Sequence, residues 1–198
     1  MARPLAKDHH VKRNHILKTA ARMFAEVGVA RASMAQVAEE CGVSKATIYH
    51  YYSSKDALLF DILDSYLRAL RDRLRLLPLD GLTPNEQLLM IVSETLYAYQ
   101  GMDEEHKIQT EGIPLLSVDQ QVILKGYQRD MVNQMGRIMA AIAPDIFEGN
   151  PRKLRATVMS VFGMLNWFYM WNSGADDDVR AEYAVLVTRL TLNGINGL

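Results

Sequence analysis

The sequence predicts an all-α fold: an N-terminal three-helix domain containing a helix-turn-helix, followed by a larger helical domain. Three observations lead there. Apolar residues recur three and four apart along most of the 198 residues. Residues 33–52 are punctuated into two short helices by capping residues and a glycine. No stretch alternates apolar and polar residues as a half-buried strand does.

In order along the chain, Ile16, Ala20, Met23 and Phe24 set a first amphipathic helix over residues 8–27, stopped by Gly28. Ser33 is placed to cap a helix over 34–41, with Val37 and Ala38 facing inward, and Gly42 ends it. Ser44 then caps a helix over 45–51, so that two helices of about two turns flank a tight turn at Cys41-Gly42-Val43. A longer helix over 55–77 carries the stripe Leu58, Leu59, Ile62, Leu63, Tyr66, Leu67 and Leu70. Pro78, Gly81 and Pro84 mark residues 78–84 as the expected domain junction. This gives an N-terminal domain over 9–55, a linking helix over 55–77 and a second domain over 78–198. Further helices are expected over 85–100, 103–110, 118–143, 151–172 and 176–194, the last with Asp176, Asp177 and Asp178 at its start, where negative charge is favoured.

Charge is distributed unevenly. The net charge of -1 conceals 13 Lys+Arg against 8 Asp+Glu over residues 1–77 and 9 against 15 over 78–198. A basic N-terminal part beside an acidic remainder suits contact with a polyanion through the first part only. Cys41 is the one cysteine, which excludes an intrachain disulfide and suits the cytoplasm; its setting reads as a small buried apolar side chain. The basic start has no apolar run behind it, and no segment has about 18 uninterrupted apolar residues, so neither a cleaved leader nor a membrane partner is expected. His9, His10, His106 and the acidic runs at 103–105 and 176–178 form no recognisable catalytic or metal-binding motif. No enzyme, cofactor or metal is expected.

The stretch from Gly42 to Leu58, GVSKATIYHYYSSKDAL, resembles the signature of the TetR family of regulators. Ala46 stands at a usual Gly, Ile48 at Leu, Tyr51 at His and Tyr52 at Phe. The segments from Ile16 to Gly28 and from Ser33 to Ala38 resemble the family too, so the likeness covers roughly residues 13–66. It implies double-stranded operator DNA as partner, contacted by Ser33, Ser44, Lys45, Thr47, Tyr49, His50 and Lys55. Lys45, Thr47 and His50 suit base edges. Ser33, Ser44, Tyr49 and Lys55 suit phosphates, which fix register without reading sequence. Tyr51 and Tyr52 are expected to pack on the first and fourth helices. Arg3, Lys7, Lys12 and Arg13 form either a DNA-reaching arm or a solvated basic tail.

The helix over 151–172 is apolar on nearly all sides and so must be buried on nearly all sides. Its residues Val158, Val161, Leu165 and Phe168, with Tyr183, Leu186 and Leu190 of the last helix, are the expected homodimer interface, an intersubunit four-helix bundle as the resemblance also implies. The alternative is an interior helix in a monomer. Met90, Tyr97, Met131, Met135, Phe162, Asn166 and Tyr169 suit an apolar pocket for a small-molecule effector, or ordinary core. Residues 162–167 loosely resemble family members that answer to acyl-CoA thioesters, whose phosphates would call on Arg129, Arg137, Arg152, Lys153 or Arg155. The expected function is a ligand-responsive DNA-binding regulator, a repressor by the family's default, that releases a palindromic operator when the effector binds. A protein-interaction adaptor on the same scaffold is the alternative; an enzyme is the remotest reading.

Overall fold

The computed structural model describes residues 3–172, 174–195 and 197, with side chains from His9 onward. Among the described residues the structure is helical throughout, with no strand. The helices are α1 (Arg3–Val27), α2 (Met34–Glu40), α3 (Lys45–Tyr51), α4 (Lys55–Arg75), α5 (Pro84–Ala98), α6 (Asp103–Gly112), α7 (Val118–Ile142), α8 (Pro144–Phe147), α9 (Pro151–Trp171) and α10 (Asp177–Ile195), with a 3-10 turn at Ile113–Leu115. The short α8, begun at Pro144, and the 3-10 turn, with Pro114 as its second residue, were not expected from the sequence. Helix α1 starts at Arg3, so Lys12 and Arg13 lie on a regular helix and not in a loose arm. The side chains of Arg3 and Lys7 are outside the described residues.

Two compact units make up the chain, one of Met1–Tyr66 with Glu104–Leu124, the other of Leu67–Asp103 with Lys125–Leu198. The divisions fall inside α4, after the first residue of α6 and inside α7, and not at residues 78–84, whose prolines turn the chain from α4 into α5 within the second unit.

In the first unit the caps decide where the short helices lie. Ser33 and Gln36 form a reciprocal box: the Gln36 N–H donates to Ser33 Oγ (3.3 Å) and the Ser33 N–H to Gln36 Oε1 (2.9 Å). Gly42, at φ +64°, supplies the left-handed residue between α2 and α3. Behind α4, α6 approaches closely because it ends in Gly112. A Cβ there would stand 3.2 Å from Leu59 Cδ1. Tyr66 and His106 hydrogen-bond across the same helix pair, hydroxyl to Nδ1 at 2.9 Å, which gives buried His106 a structural partner.

In the second unit α5 packs along α10, with Leu88, Ile91, Val92 and Leu96 buried on one side and Ala184, Val187, Thr188 and Thr191 on the other. Arg180 of α10, 4% exposed, donates to the carbonyl of Leu96 (2.9 Å) in the last turn of α5 and to that of Ala175 (3.2 Å). A cation there complements the negative end of α5 and satisfies a carbonyl that its own helix cannot. Arg180→Leu therefore lowers the unfolding free energy by about 1–3 kcal/mol in urea titrations; unchanged stability would contradict this role.

Candidate nucleic-acid interface

Helix α3 has seven residues, too few to be stable alone in water, so its position depends on what holds it. Three contacts do. Ser44 accepts the Thr47 N–H at 3.1 Å and caps the N-terminus. Ile48, fully buried, anchors the back face. At the C-terminal end Tyr52 donates its hydroxyl to Asp61 Oδ2 (2.6 Å), while Arg13 of α1 donates to Asp61 Oδ1 (2.5 Å). One α4 carboxylate thus joins α1, the end of α3 and α4. Burial, and after it the neighbouring Asp61, hold the Tyr52 phenol far above its ordinary range, so it remains a donor. Beside this, Tyr51 stacks on His9 of α1 with centroids 4.7 Å apart.

With its back and end fixed, α3 presents Lys45, Ala46, Tyr49 and His50 to solvent. Tyr49 is 54% exposed, unusual for a large aromatic side chain. Thr47 is half-buried, and its hydroxyl lies 2.9 Å from Ser44 Oγ, so it belongs to the cap as well as to the edge of the exposed face. Ser33 and Ser44 are exposed at the starts of α2 and α3. The face has the chemistry for DNA: a cation, an imidazole, a phenol and helix N-termini suited to phosphate.

Two sequence expectations are corrected here. Lys55 does not reach outward. Its ammonium donates to the carbonyls of Val29 (2.8 Å), Ala30 (3.1 Å) and Ala32 (2.9 Å), using all three of its N–H donors to fasten the loop between α1 and α2. Arg13, a candidate for the basic arm, is bound to Asp61. The sequence hides both roles because the partners lie 23 to 48 residues away. Cys41 is buried, and desolvation raises its thiol above the ordinary range, as suits a packing residue.

In the second unit Val158, Val161, Leu165 and Phe168 are no more than 2% exposed. They face the interior of their own unit and have no surface to give a partner, which corrects the expected interface. The exposed apolar side chains of α9 are Met159, Trp167, Met170 and Trp171, and those of α10 include Leu186 and Leu190. Tyr183 lies between the sets, stacked on Phe168 at 4.7 Å and edge-on to Trp171 at 5.3 Å.

Of the expected pocket residues, Met131, Met135 and Phe162 are buried, whereas Met90, Tyr97, Asn166 and Tyr169 are half-buried. Asn166 accepts a 2.7 Å hydrogen bond from Tyr99, whose phenol burial pushes far above its ordinary range. Burial, then the Asp103 charge, raises Tyr169 as well. A groove of about 400 Å³ lies between the second half of α7 and the first turns of α9, and none of those seven residues lines it. Among the described residues no group of three His, Cys, Asp or Glu is placed to hold a metal ion, and no helix is long and apolar enough to cross a membrane.

A family model described as bacterial regulatory proteins, tetR family, matches residues 16–62. Over 79 residues the chain is 34% identical to the uncharacterized HTH-type transcriptional regulator YerO of Bacillus subtilis, covering 39% of this chain and 27% of that one. The chain spans about half or less of the curated relatives it matches. A TetR-family transcriptional regulator from Bordetella parapertussis superimposes with a TM-score of 0.85 at 29% identity, covering 94% of this chain and 96% of that chain. AibR, solved with isovaleryl coenzyme A and operator DNA, shares the fold at a TM-score of 0.71 and 22% identity, over 91% and 98% of the two chains.

The placement of Lys55 yields a clear test. Lys55→Met removes three charge-assisted donors and is expected to cost about 1–3 kcal/mol of stability without DNA present. Full retention of stability, with loss of DNA affinity alone, would return Lys55 to the phosphate contacts.

Proposed function

The chain belongs to the TetR family of bacterial regulatory proteins, and on that premise we propose that it is a homodimeric transcriptional regulator of the cytoplasm that binds operator DNA and releases it on binding a small effector. The observation that carries the reading is the outer face of α3, where Lys45, Tyr49 and His50 stand exposed on a helix whose back and C-terminal end are fixed. The excess of positive charge over residues 1–77 supports it.

Lys45 and His50 are the base readers, joined by Thr47 through the methyl and the free lone pair that its cap bond leaves. Tyr49, Ser33 and Ser44 hold phosphates and set register. A second copy of the chain covers Met159, Trp167, Met170, Trp171, Leu186 and Leu190, an exposed apolar set of the kind that marks an interface. A two-fold dimer then presents two α3 helices to a palindromic site whose half-sites lie about 34–36 Å apart.

The effector is apolar in its body and acts by favouring a conformer whose α3 helices are wrongly spaced for DNA. Near-complete release requires it to prefer that conformer by about 5.5 kcal/mol. Helix α4, unbroken from Lys55 to Arg75, is the route by which such a change travels along the chain. The AibR complex with isovaleryl coenzyme A makes an acyl-CoA thioester the first effector to try, and repression is the reading for the bound state.

The test is binding to the chain's own promoter region across a salt series. Affinity for that fragment should fall steeply as salt rises. Tyr49→Ala should weaken promoter and random DNA alike, whereas His50→Ala should reduce mainly the preference between them, by about 1–3 kcal/mol. Absence of sequence-selective binding at every salt concentration would sink the regulator reading; equal losses on both DNAs for both variants would sink the division of roles.

A further inference from the structure

We propose that the groove between α7 and α9 binds an organic anion with an apolar body, its carboxylate or phosphate head held between Arg137 and Arg155. The groove's volume of about 400 Å³ lies within the range of small-molecule sites. Its apolar wall comes from Val132 and Ala140 of α7 and Leu154 of α9, with buried Val158 at its base. Gly136 keeps the floor low: a Cβ there would meet only Val158, at 3.9 Å, so any larger side chain would grow into the space.

Charge identifies the occupant. Arg137 and Arg155 both line the groove, are exposed, and make no ion pair or hydrogen bond among the described residues. Nearby Asp130 is already engaged by Arg71 at 3.4 Å. The part of the chain from residue 78 onward is acidic, yet five of its nine Lys and Arg residues fall within 129–155. Two guanidinium forks facing one apolar cleft match a carboxylate or phosphate, which accepts paired N–H donors. Asn133 adds an amide at the same wall. A second copy of the chain is the poorer occupant. The apolar side chains exposed on α9 and α10, such as Met159, Trp167, Leu186 and Leu190, offer the guanidinium groups no counter-charge. The exposed carboxylates Asp177, Asp178 and Glu182 of α10 make loss of the dimer in the double Gln variant the outcome that identifies a second copy.

The effect of such a ligand on DNA rests on the regulator reading above, but its binding does not, and the experiment separates the two. Calorimetric titrations of the full chain use decanoate and decyl phosphate as probes, with decanol and inorganic phosphate as controls for body and head alone. At least one of the two anionic probes binds, both controls bind about tenfold or more weakly, and comparison of decanoate with decyl phosphate identifies the preferred head. Arg137→Gln with Arg155→Gln, both at exposed positions, reduces the anion's affinity about tenfold or more. Ala140→Phe, which fills the groove and leaves the arginines, does the same. Light scattering follows the oligomer in every sample.

Equal affinity in wild type and the double Gln variant, decanol binding as well as decanoate, or no binding by either anion would each overturn the proposal. So would a double Gln variant whose mass shows loss of the dimer, because the groove would then be an interface. Promoter binding is measured on the same samples. DNA binding without anion binding defeats this inference and leaves the regulator reading intact; anion binding without DNA binding does the reverse.

Discussion

The Asp61 carboxylate is the constraint on which the first unit depends. A seven-residue helix cannot hold itself, and the side chains on its outward face can serve the proposed DNA contact only if their angle to the rest of the domain is fixed. Asp61 fixes it by accepting from Tyr52 at the end of α3 and from Arg13 on α1. The Ser44 cap sets the other end, and Lys55 ties down the loop that leads into α2. Each is a charged or capping group spent on geometry, and none of them occupies the outward face of α3 beside Lys45, Tyr49 and His50.

The features legible in the sequence are local ones. Ser33, Gly42 and Ser44 act within three or four residues of themselves, so the bounds of α2 and α3 follow closely from capping chemistry. Lys55 and Arg13 failed as DNA-facing candidates for the opposite reason. A basic residue near a recognition helix looks the same in sequence whether it meets a phosphate or three carbonyls of a distant loop. Helix α9 shows a further limit. When a helix is apolar all round, periodicity says that every side is covered but not which cover belongs to the chain itself, and so Val158 and Leu165 were exchanged for Trp167 and Met170.

In the second unit the methionine-rich stripe is divided between the interior and the surface. Met131 and Met135 are buried, Met90 is half-buried, and Asn166 is bonded to Tyr99. The groove between α7 and α9 is lined by small and branched side chains beside Asn133, Arg137 and Arg155. Its signal in the sequence was not the thioethers but the cluster of arginines in an otherwise acidic segment.

Asp61 carries the same charge as DNA, yet by positioning α3 it supports the proposed DNA contact. Affinity of Asp61→Asn for promoter and random DNA at one salt concentration tests it most directly. Removal of a negative charge from a DNA-binding unit should, by Coulomb's law alone, strengthen binding to both. If Asp61 positions α3, promoter affinity falls towards the non-specific level while random-DNA affinity holds or rises. Tighter binding to both DNAs, with the preference between them preserved, would contradict it.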